Sequence, residues 1–304
     1  MKNSSKMPFV GRKNELKQLA LFDESPGATL IVIRGRRRIG KSRLVAEYAE
    51  NKTFIRFSGI APEPTMTAKD QREHFVDQFQ EQFQGPRLAA DNWNHLFHAL
   101  TDKLEKENIV LLFDEISWMA HDDATFLPKL KDFWDKQVDK NPNVLFALCS
   151  SVSSWIDENI HGGKAFYGRV YGEITLRELS LKHSLALLAA RGIRGSAQEL
   201  LYILSITGGV PWYLELFSAK QSALNNIYRL CFEKGGALVK EFDRIFGDLF
   251  SKRENIYREI VSLLIPGKLR QTQLAKKLNY SNSNRFSSYL NDLKNAGFIK
   301  EDFT

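Results

Sequence analysis

One eight-residue segment, Gly35 to Ser42 (GRRRIGKS), constrains this chain more than any other feature. It fits the pattern G-x-x-x-x-G-K-[ST], follows the apolar run 28–34 and precedes a stretch of helical period, 41–50. The glycines let the backbone curl so that several N–H groups point at anionic oxygens, and the following helix adds its positive amino-terminal end. The pattern therefore predicts a strand, a phosphate-binding loop and a helix, in that order.

The side chains of this loop predict which parts of a nucleotide they bind. Lys41 supplies a mobile positive charge for the β- and γ-phosphates, and the Ser42 hydroxyl is a ligand for Mg²⁺, so the expected cofactors are ATP and Mg²⁺. The three arginines either help to hold phosphates or meet solvent and acidic neighbours. The residues expected to contact the nucleotide here are Gly35, Arg36, Arg37, Arg38, Ile39, Gly40, Lys41, Ser42 and Arg43.

Two acids, Asp114 and Glu115, end the apolar run 109–113 (IVLLF). Acids at the end of a buried strand are costly unless they have a partner, and a phosphate loop provides one. We expect Asp114 to lie near Mg²⁺ with Ser42, and Glu115 to orient and deprotonate the attacking water. This built-in base favours ATP hydrolysis over kinase-like or GTPase-like chemistry.

Two serines, Ser150 and Ser151, follow the next apolar run, 144–149. Ser151 is expected to contact the γ-phosphate or the attacking water. The alternative is a strand-end turn in which the hydroxyls satisfy backbone groups.

The pattern of strands and helices predicts the fold class. Continuous apolar strands that alternate with helical stretches indicate an α/β fold with a parallel sheet covered on both faces. After about residue 176 the chain continues mainly in helical stretches. We predict a P-loop core at 1–178, a helical lid subdomain at 179–250 and a winged-helix unit at 251–304. The five strand-like runs are 28–34, 54–57, 109–113, 144–149 and 171–176.

With these residues in hand, the chain resembles the archaeal-type ATPase family. That family belongs to the P-loop proteins with an extra strand between the two Walker motifs, near the AAA and STAND NTPases. The matching segments are FVGRKNEL at 9–16, GRRRIGKS at 35–42, LFDE at 112–115, CSSVS at 149–153, YGR at 167–169 and TGGVPWYL at 207–214. Ser150 replaces the glycine that is usual in the fourth segment.

The resemblance implies roles for four more residues. Gly11 and Arg12 lie beside the nucleotide in such proteins, and the lid segment that contains Pro211 approaches the adenine. Arg169 is the candidate for an arginine that senses the γ-phosphate in cis or in trans. A structural ion pair is the alternative for Arg169 and also for Arg12.

The C-terminal segment is the basic part of the chain. Residues 251–304 hold ten lysines and arginines against five aspartates and glutamates, so most of the net charge of +7 lies there. Helical stretches at 253–264, 271–278 and 284–295, with a strand starting near 299, indicate a helix-turn-helix of the winged type, as in the family. Either DNA or a protein is then the partner, or the charge is a solubilising surface. The side chains that could meet DNA are Gln273, Lys276, Lys277, Asn282 and Arg285.

Three readings of function follow. The first is a cytoplasmic Mg-ATPase whose cycle repositions the lid and the winged helix. The second is a switch that holds ADP or ATP without hydrolysing it, and the third is a DNA-binding regulator in which ATP only sets conformation. Further candidates for a partner are another protein and a second copy of this chain in a homo-oligomer, a membrane partner is not expected, and the winged-helix unit is either complete or truncated. Apolar runs are too short to span a bilayer, and Cys149 and Cys231 form no disulfide pattern.

Overall fold

A five-stranded parallel sheet forms the centre of the part of the chain that the structure describes. This computed structural model describes residues 8–63, 65–105, 107–241, 243, 245–246, 254–280 and 284–302. Within them the strand order is β2-β3-β4-β1-β5, and every neighbouring pair is parallel. The α/β sheet expected from the sequence is therefore confirmed. The strands are β1 (Thr29–Arg34), β2 (Thr53–Ser58), β3 (Ile109–Asp114), β4 (Val144–Ser150) and β5 (Val170–Thr175).

The strand order brings the predicted motifs to one edge of the sheet. β4 lies between β1 and β3, so one strand separates the phosphate loop from the acidic pair, as the family resemblance implies. Because the strands are parallel, the residues that follow their carboxyl ends meet at a common edge. Gly35 follows β1, Glu115 follows β3 and Ser151 follows β4. The candidate site lies at this edge.

Each central strand divides its side chains between two cores. In β1, Leu30 and Val32 join one buried cluster, whereas Ile31 and Ile33 join the other. Such alternation with burial on both faces is the mark of a parallel sheet between helical layers. The first core is rich in aromatic residues and includes side chains of α3 (Ala68–Gln82), α4 (Trp93–Thr101) and α6 (Phe126–Phe133). The second includes side chains of α1 (Lys13–Asp23) and α2 (Lys41–Tyr48).

Shorter helical segments complete this layer. α5 (Ile116–Met119) follows the acidic pair, and α7 (Ser153–Ile156) follows the serines after β4. Two π-helical segments, Trp134–Val138 and Asp157–His161, extend α6 and α7.

Side chains of α3 bond the outer edge of β2. Three glutamines on one face of α3 each bond both backbone groups of a single residue. The side-chain oxygen accepts from the backbone N–H and the side-chain nitrogen donates to the C=O of the same residue, at distances of 2.7–3.0 Å. An edge strand otherwise presents unpaired groups to solvent. These bonds fix the position of β2 from its outer side. The pairs are Gln71 with Ile60, Gln78 with Ser58 and Gln82 with Arg56.

Four helices follow the sheet: α8 (Leu181–Ala190), α9 (Ala197–Thr207), α10 (Pro211–Glu215) and α11 (Ala223–Cys231). Serine side chains cap α8, α9 and α11, which satisfies amino-terminal N–H groups. Gly208, at φ 57°, ends α9, and Pro211 starts α10 at a position where no N–H is needed. These helices bury a cluster of their own, with Leu188, Leu214 and Leu230 in it.

The C-terminal unit contains α12 (Glu254–Leu264), α13 (Gln271–Lys277) and α14 (Asn284–Asn295). They pack around Tyr257, Phe286 and Tyr289, and Phe246 joins the same cluster. The strand expected near residue 299 is not formed in the described residues up to 302. Instead Phe298 turns back onto Phe246, with ring centroids 4.5 Å apart, so this segment packs by its side chain. The domain limits at 178 and 250 stay a prediction, and Asn282 lies outside the described residues.

None of the helices in the described part of the chain is long and apolar enough to cross a membrane.

Candidate nucleotide-binding and catalytic site

The phosphate loop curls between β1 and α2, and its backbone requires glycine at one tight position. Gly35 has φ 148°, and a Cβ atom there would lie 2.4 Å from the carbonyl oxygen of Leu176. Gly40 has φ 93° and precedes the first residue of α2. Arg38 also takes the left-handed region, at φ 68°. The loop thus has the curled backbone that the motif predicts, with the amino-terminal end of α2 behind it.

The Lys41 ammonium lies inside the loop. Its Nζ donates hydrogen bonds to the carbonyl oxygens of Gly35 (3.0 Å) and Arg36 (3.4 Å), and to Ser151 Oγ (2.7 Å). The residue is 5% exposed. A buried ammonium needs such partners, and phosphate oxygens at the same place would serve as well.

Ser42 and Asp114 meet as the sequence predicts for a metal site. Ser42 Oγ donates to Asp114 Oδ2 at 2.5 Å, and the same carboxylate oxygen accepts a 2.7 Å charged hydrogen bond from Arg56 Nη2. Hydroxyl and carboxylate oxygens are the donors that Mg²⁺ takes from proteins, and a cationic group already touches the carboxylate oxygen here. The residues present fit a magnesium ion. Arg56 was not among the expected site residues.

The Glu115 carboxylate is tied to Ser151. Its Oε2 accepts a hydrogen bond from the Ser151 backbone N–H (2.9 Å), and its Oε1 accepts a short one from the Ser151 hydroxyl. Lys41 Nζ lies 3.7 Å from Oε1. Glu115 itself has φ 51°, a left-handed conformation that turns the chain from β3 into α5. Lysine, serine and glutamate therefore form one connected network.

The serine that replaces the usual glycine has polar partners of its own. Ser150 is fully buried, donates to Ser117 Oγ (3.1 Å), and accepts from the Val152 backbone N–H (3.1 Å). Ser150 therefore anchors the turn after β4, while Ser151 faces Lys41 and Glu115. Burial raises the pKa of the neighbouring Cys149 thiol, which leaves it a poor nucleophile.

The three loop arginines contact acids and aromatic rings. Arg36 pairs with Glu178 at 3.3 Å and lies over the rings of Tyr213 and Phe298 at 6.0 and 5.9 Å. Arg37 lies over Trp118 at 5.2 Å. The charged ends of Arg36 and Arg37 therefore meet protein groups here, and contact of these arginines with phosphates stays a prediction.

Arg38 joins the loop to the lid. It lies 3.5 Å from the centre of the Trp212 ring and 2.7 Å from Glu241 Oε1. Tyr213 donates to the same Glu241 oxygen at 3.1 Å. Burial, followed by the negative charge of Glu241, raises the pKa of Tyr213 to about 12. The lid segment 207–214 therefore contacts the phosphate loop through two aromatic side chains.

A small apolar pocket opens beside Gly40, where a nucleoside would lie relative to the loop. Arg43 lines it, pairs with Glu215 at 3.0 Å and lies 5.8 Å from the centre of the Phe9 ring. Pro211 lines the pocket from the lid side. Its volume of about 40 Å³ is too small for a nucleobase, so a base enters here only if the pocket widens. Its apolar lining consists of Pro8, Phe9, Val10, Ile39, Leu179, Leu187 and Pro211.

Arg12 braces the pocket. Its guanidinium donates to the carbonyl oxygens of Arg177 (2.6 Å) and Ile39 (3.3 Å), and pairs with Glu15. Gly11 has φ 77°, and a Cβ there would lie 2.9 Å from the ring of His183. Arg12 therefore lies against the loop and forms structural contacts there, whereas a place beside the nucleotide for Gly11 and Arg12 stays a prediction.

Arg169 lies at the opposite end of the strands from the candidate site, near their amino ends. It precedes β5, whose Val170 pairs with Leu30 near the start of β1, whereas the loop follows the end of β1. One strand of this length spans about 17 Å. Arg169 instead forms a two-point ion pair with Asp135 at 2.7 and 3.0 Å, which lowers the pKa of that carboxyl to about 2. Sensing of the γ-phosphate in cis does not fit this position; a role in trans stays a prediction.

Comparisons with solved structures agree with the fold. The Walker-type ATPase PABY2304 of Pyrococcus abyssi superposes with a TM-score of 0.71 at 18% identity, covering 97% of this chain and 91% of that one. The ORC2 protein of Aeropyrum pernix, solved as ADPNP and ADP complexes, gives 0.54 at 15% identity, covering 97% and 89%. At these identities the likeness shows the fold alone.

Sequence comparison reaches further. The protein MJECL04 of Methanocaldococcus jannaschii is 27% identical over 207 residues, which are 68% of this chain and 43% of the relative. The match thus spans less than half of that relative's length. A family model described as an ATPase domain predominantly from Archaea matches residues 9–217, which include every predicted nucleotide-site residue. This chain therefore belongs to that family of predominantly archaeal P-loop ATPases.

Proposed function

We propose that this chain binds ATP with Mg²⁺ and hydrolyses it to ADP and phosphate. One observation carries the proposal: Lys41 of the phosphate loop forms a connected hydrogen-bond network with Ser151 and Glu115, beside the Ser42–Asp114 pair. These are a phosphate-binding cation, a polar orienting group, a base and a pair of metal-binding oxygens within one edge of the sheet.

Binding uses groups that are already in place. The curled loop would offer its N–H groups to the phosphates, and the adenine would lie at the apolar pocket beside Gly40 once that pocket widens from its present 40 Å³ or so. Lys41 would exchange its carbonyl partners for β- and γ-phosphate oxygens. Ser42 and Asp114 would hold Mg²⁺, which when bound neutralises part of the negative charge on the phosphates.

Glu115 is the general base in the proposed hydrolytic step. A water oxygen forms a bond to the γ-phosphorus while Glu115 accepts the proton of that water, and the bond from the γ-phosphorus to the bridging oxygen breaks to release ADP. Ser151 would hold Glu115 or the γ-phosphate in line. Both oxygens of Glu115 now accept hydrogen bonds from Ser151, which orients the carboxylate, and each oxygen keeps a second lone pair that can accept the proton of the water.

That engagement of Glu115 also favours the second reading. Hydrogen bonds to a carboxylate lower its basicity, so Ser151 bonds that persist with ATP bound would slow the proton transfer and favour a chain that holds nucleotide as a switch. The two readings differ in one assay: phosphate release from ATP by the wild-type chain and by Glu115→Gln. Release that the substitution removes supports the enzyme, whereas tight binding without release supports the switch.

The ATP cycle is proposed to reposition the lid and the C-terminal unit. The supporting contacts join the loop to both regions: Arg38 meets Trp212 and Glu241, and Arg36 meets Phe298. If bound nucleotide moves either arginine, then a contact of the lid or of the C-terminal unit changes.

Binding of DNA through residues 251–304 is proposed on the exposed basic and polar side chains of α13. Gln273, Lys276 and Lys277 are exposed there, whereas Arg285 of α14 donates to Tyr289 Oη at 2.8 Å. The test is a salt titration of duplex binding. If both lysines contact phosphates, Lys276→Gln with Lys277→Gln reduces the salt slope by about 2, while Lys69→Gln on α3 leaves it unchanged. No binding at low salt excludes DNA as a direct partner of this chain.

A further inference from the structure

We infer that Arg56 is an internal counter-cation of the magnesium site, and that it competes with Mg²⁺ for Asp114. The inference rests on the proposed function, and it assigns a positioning residue that neither the motifs nor the family match indicates. Arg56 Nη2 lies 2.7 Å from Asp114 Oδ2, the same oxygen that accepts the hydrogen bond of Ser42. A guanidinium therefore occupies the oxygen that the site offers to a metal.

Burial makes a cation at this place necessary. The Asp114 side chain is 6% exposed, and a buried carboxylate without a partner is strongly unfavourable. Arg56 supplies the positive charge. Its own side chain is 47% exposed, so it can leave toward solvent at little cost, whereas Asp114 cannot. Arg56 is the mobile member of the pair.

The backbone of Arg56 is fixed from both sides. On the inner side, β2 pairs in register with β3, with Arg56 opposite Leu112 and Ser58 opposite Asp114. On the outer side, the Gln82 amide bonds both the N–H and the C=O of Arg56, at 3.0 and 2.7 Å. The guanidinium thus reaches Asp114 from a rigid strand, and its departure needs only side-chain rotation.

Competition of this kind has a thermodynamic signature. Without Mg²⁺, Arg56 neutralises Asp114 beside the phosphates, so its loss weakens ADP binding. With Mg²⁺, the ion must displace Arg56 in the wild type but not in the variant. The factor by which Mg²⁺ strengthens ADP binding therefore rises in Arg56→Met, by about tenfold, since couplings between two ligands are commonly about 5- to 150-fold.

The experiment measures ADP binding to the full chain in EDTA and in saturating Mg²⁺. Arg56→Met is compared with Arg87→Met. This control removes another exposed arginine that forms ion pairs, in its case with Glu73 and Asp77. We expect Arg56→Met alone to bind ADP more weakly in EDTA and to gain more from Mg²⁺. An equal gain from Mg²⁺ in Arg56→Met and the wild type would overturn the inference.

A second measurement needs no nucleotide. In EDTA, Arg56→Met is expected to lower the urea midpoint of unfolding, and the same change in an Asp114→Asn background is expected to have no effect. Additive effects of the two substitutions would overturn the inference. If the wild type binds no ADP in either buffer, then the proposed function fails. The unfolding midpoints of the single and double variants still decide whether Arg56 is the counter-cation of Asp114.

Discussion

The ammonium of Lys41 donates a 2.7 Å hydrogen bond to the hydroxyl of Ser151, across 110 residues of sequence. This bond joins the phosphate loop to the carboxyl end of β4, and Ser151 continues it to Glu115. The residue proposed to bind phosphate and the residue proposed to activate water are therefore connected through one serine. Displacement of Lys41 by a phosphate changes the environment of Glu115 directly.

Loss of the Lys41 charge is expected to abolish tight nucleotide binding. Lys41→Met should weaken ATP binding by about 30-fold or more, the usual effect of removing one partner of a buried, hydrogen-bonded charge pair. Lys52→Met is the matched control, because Lys52 pairs with Asp23 on the surface at 2.7 Å. Isothermal titration with ATP measures both. Equal affinities for the two variants would contradict the role of Lys41.

Alanine substitutions at Gly35 and Gly85 distinguish the cost of backbone strain from the cost of steric conflict. Both have φ near 150°, but only at Gly35 does an added Cβ meet another atom, the carbonyl oxygen of Leu176. Both alanine substitutions should lower the free energy of unfolding by about 1–3 kcal/mol through strain. Gly35→Ala should lose about 1–3 kcal/mol more through overpacking, and should also lose ADP binding. Equal urea midpoints with intact ADP binding would show that the loop tolerates the side chain.

The ion pair of Asp135 with Arg169 is expected to make stability depend on acid pH. The folded pKa of Asp135 is lowered from 3.8 to about 2, chiefly by the hydrogen bond from Arg169. A lowered pKa stabilises the fold above pH 3.8 and loses that effect as the pH falls toward 2. Asp135→Asn should thus cost about 0.5–1 kcal/mol at pH 7 and progressively less below pH 3.8. Urea unfolding at pH 7, 4 and 3 checks this, and a constant deficit would contradict it.

The glutamines of α3 are expected to keep the β2 edge from pairing with other chains. Removing both amides in Gln78→Ala with Gln82→Ala exposes the N–H and C=O groups of Ser58 and Arg56. We expect a loss of about 1 kcal/mol for each hydrogen bond and faster aggregation on mild heating. Gln80→Ala is the control, because Gln80 donates to Gly85 and Pro86 instead. Equal light scattering from the double variant and from Gln80→Ala on heating would contradict this role.

The sequence predicted the parts of the site that follow strands. A fixed motif and a strand-end acidic pair define positions at the carboxyl edge of a parallel sheet, which is why Lys41, Ser42, Asp114, Glu115 and Ser151 meet there. The same rule, applied to the residue that precedes β5, would have placed Arg169 at the other edge. Its position depends on strand direction, which the resemblance alone did not use.

Other features had no local signal. Arg56 contacts a carboxylate 58 residues away, and only the pairing of β2 with β3 brings the two together. Gln71, Gln78 and Gln82 do lie on one helical face, a signal that could be found, but their partner strand is not deducible from that spacing. The segment after α14 reads as a strand by composition, yet Phe298 packs onto Phe246 and no strand forms in residues 296–302.

Phosphate release from ATP by the wild-type chain, run beside Glu115→Gln with ATP binding measured for both, tests the central claim most directly. We predict Mg²⁺-dependent release by the wild type and a loss of about 100-fold or more in Glu115→Gln, with binding retained, because a general base contributes about 10²- to 10⁴-fold. Equal release by the two proteins would contradict the assignment of the base. Tight ATP binding without release by the wild type would contradict hydrolysis itself.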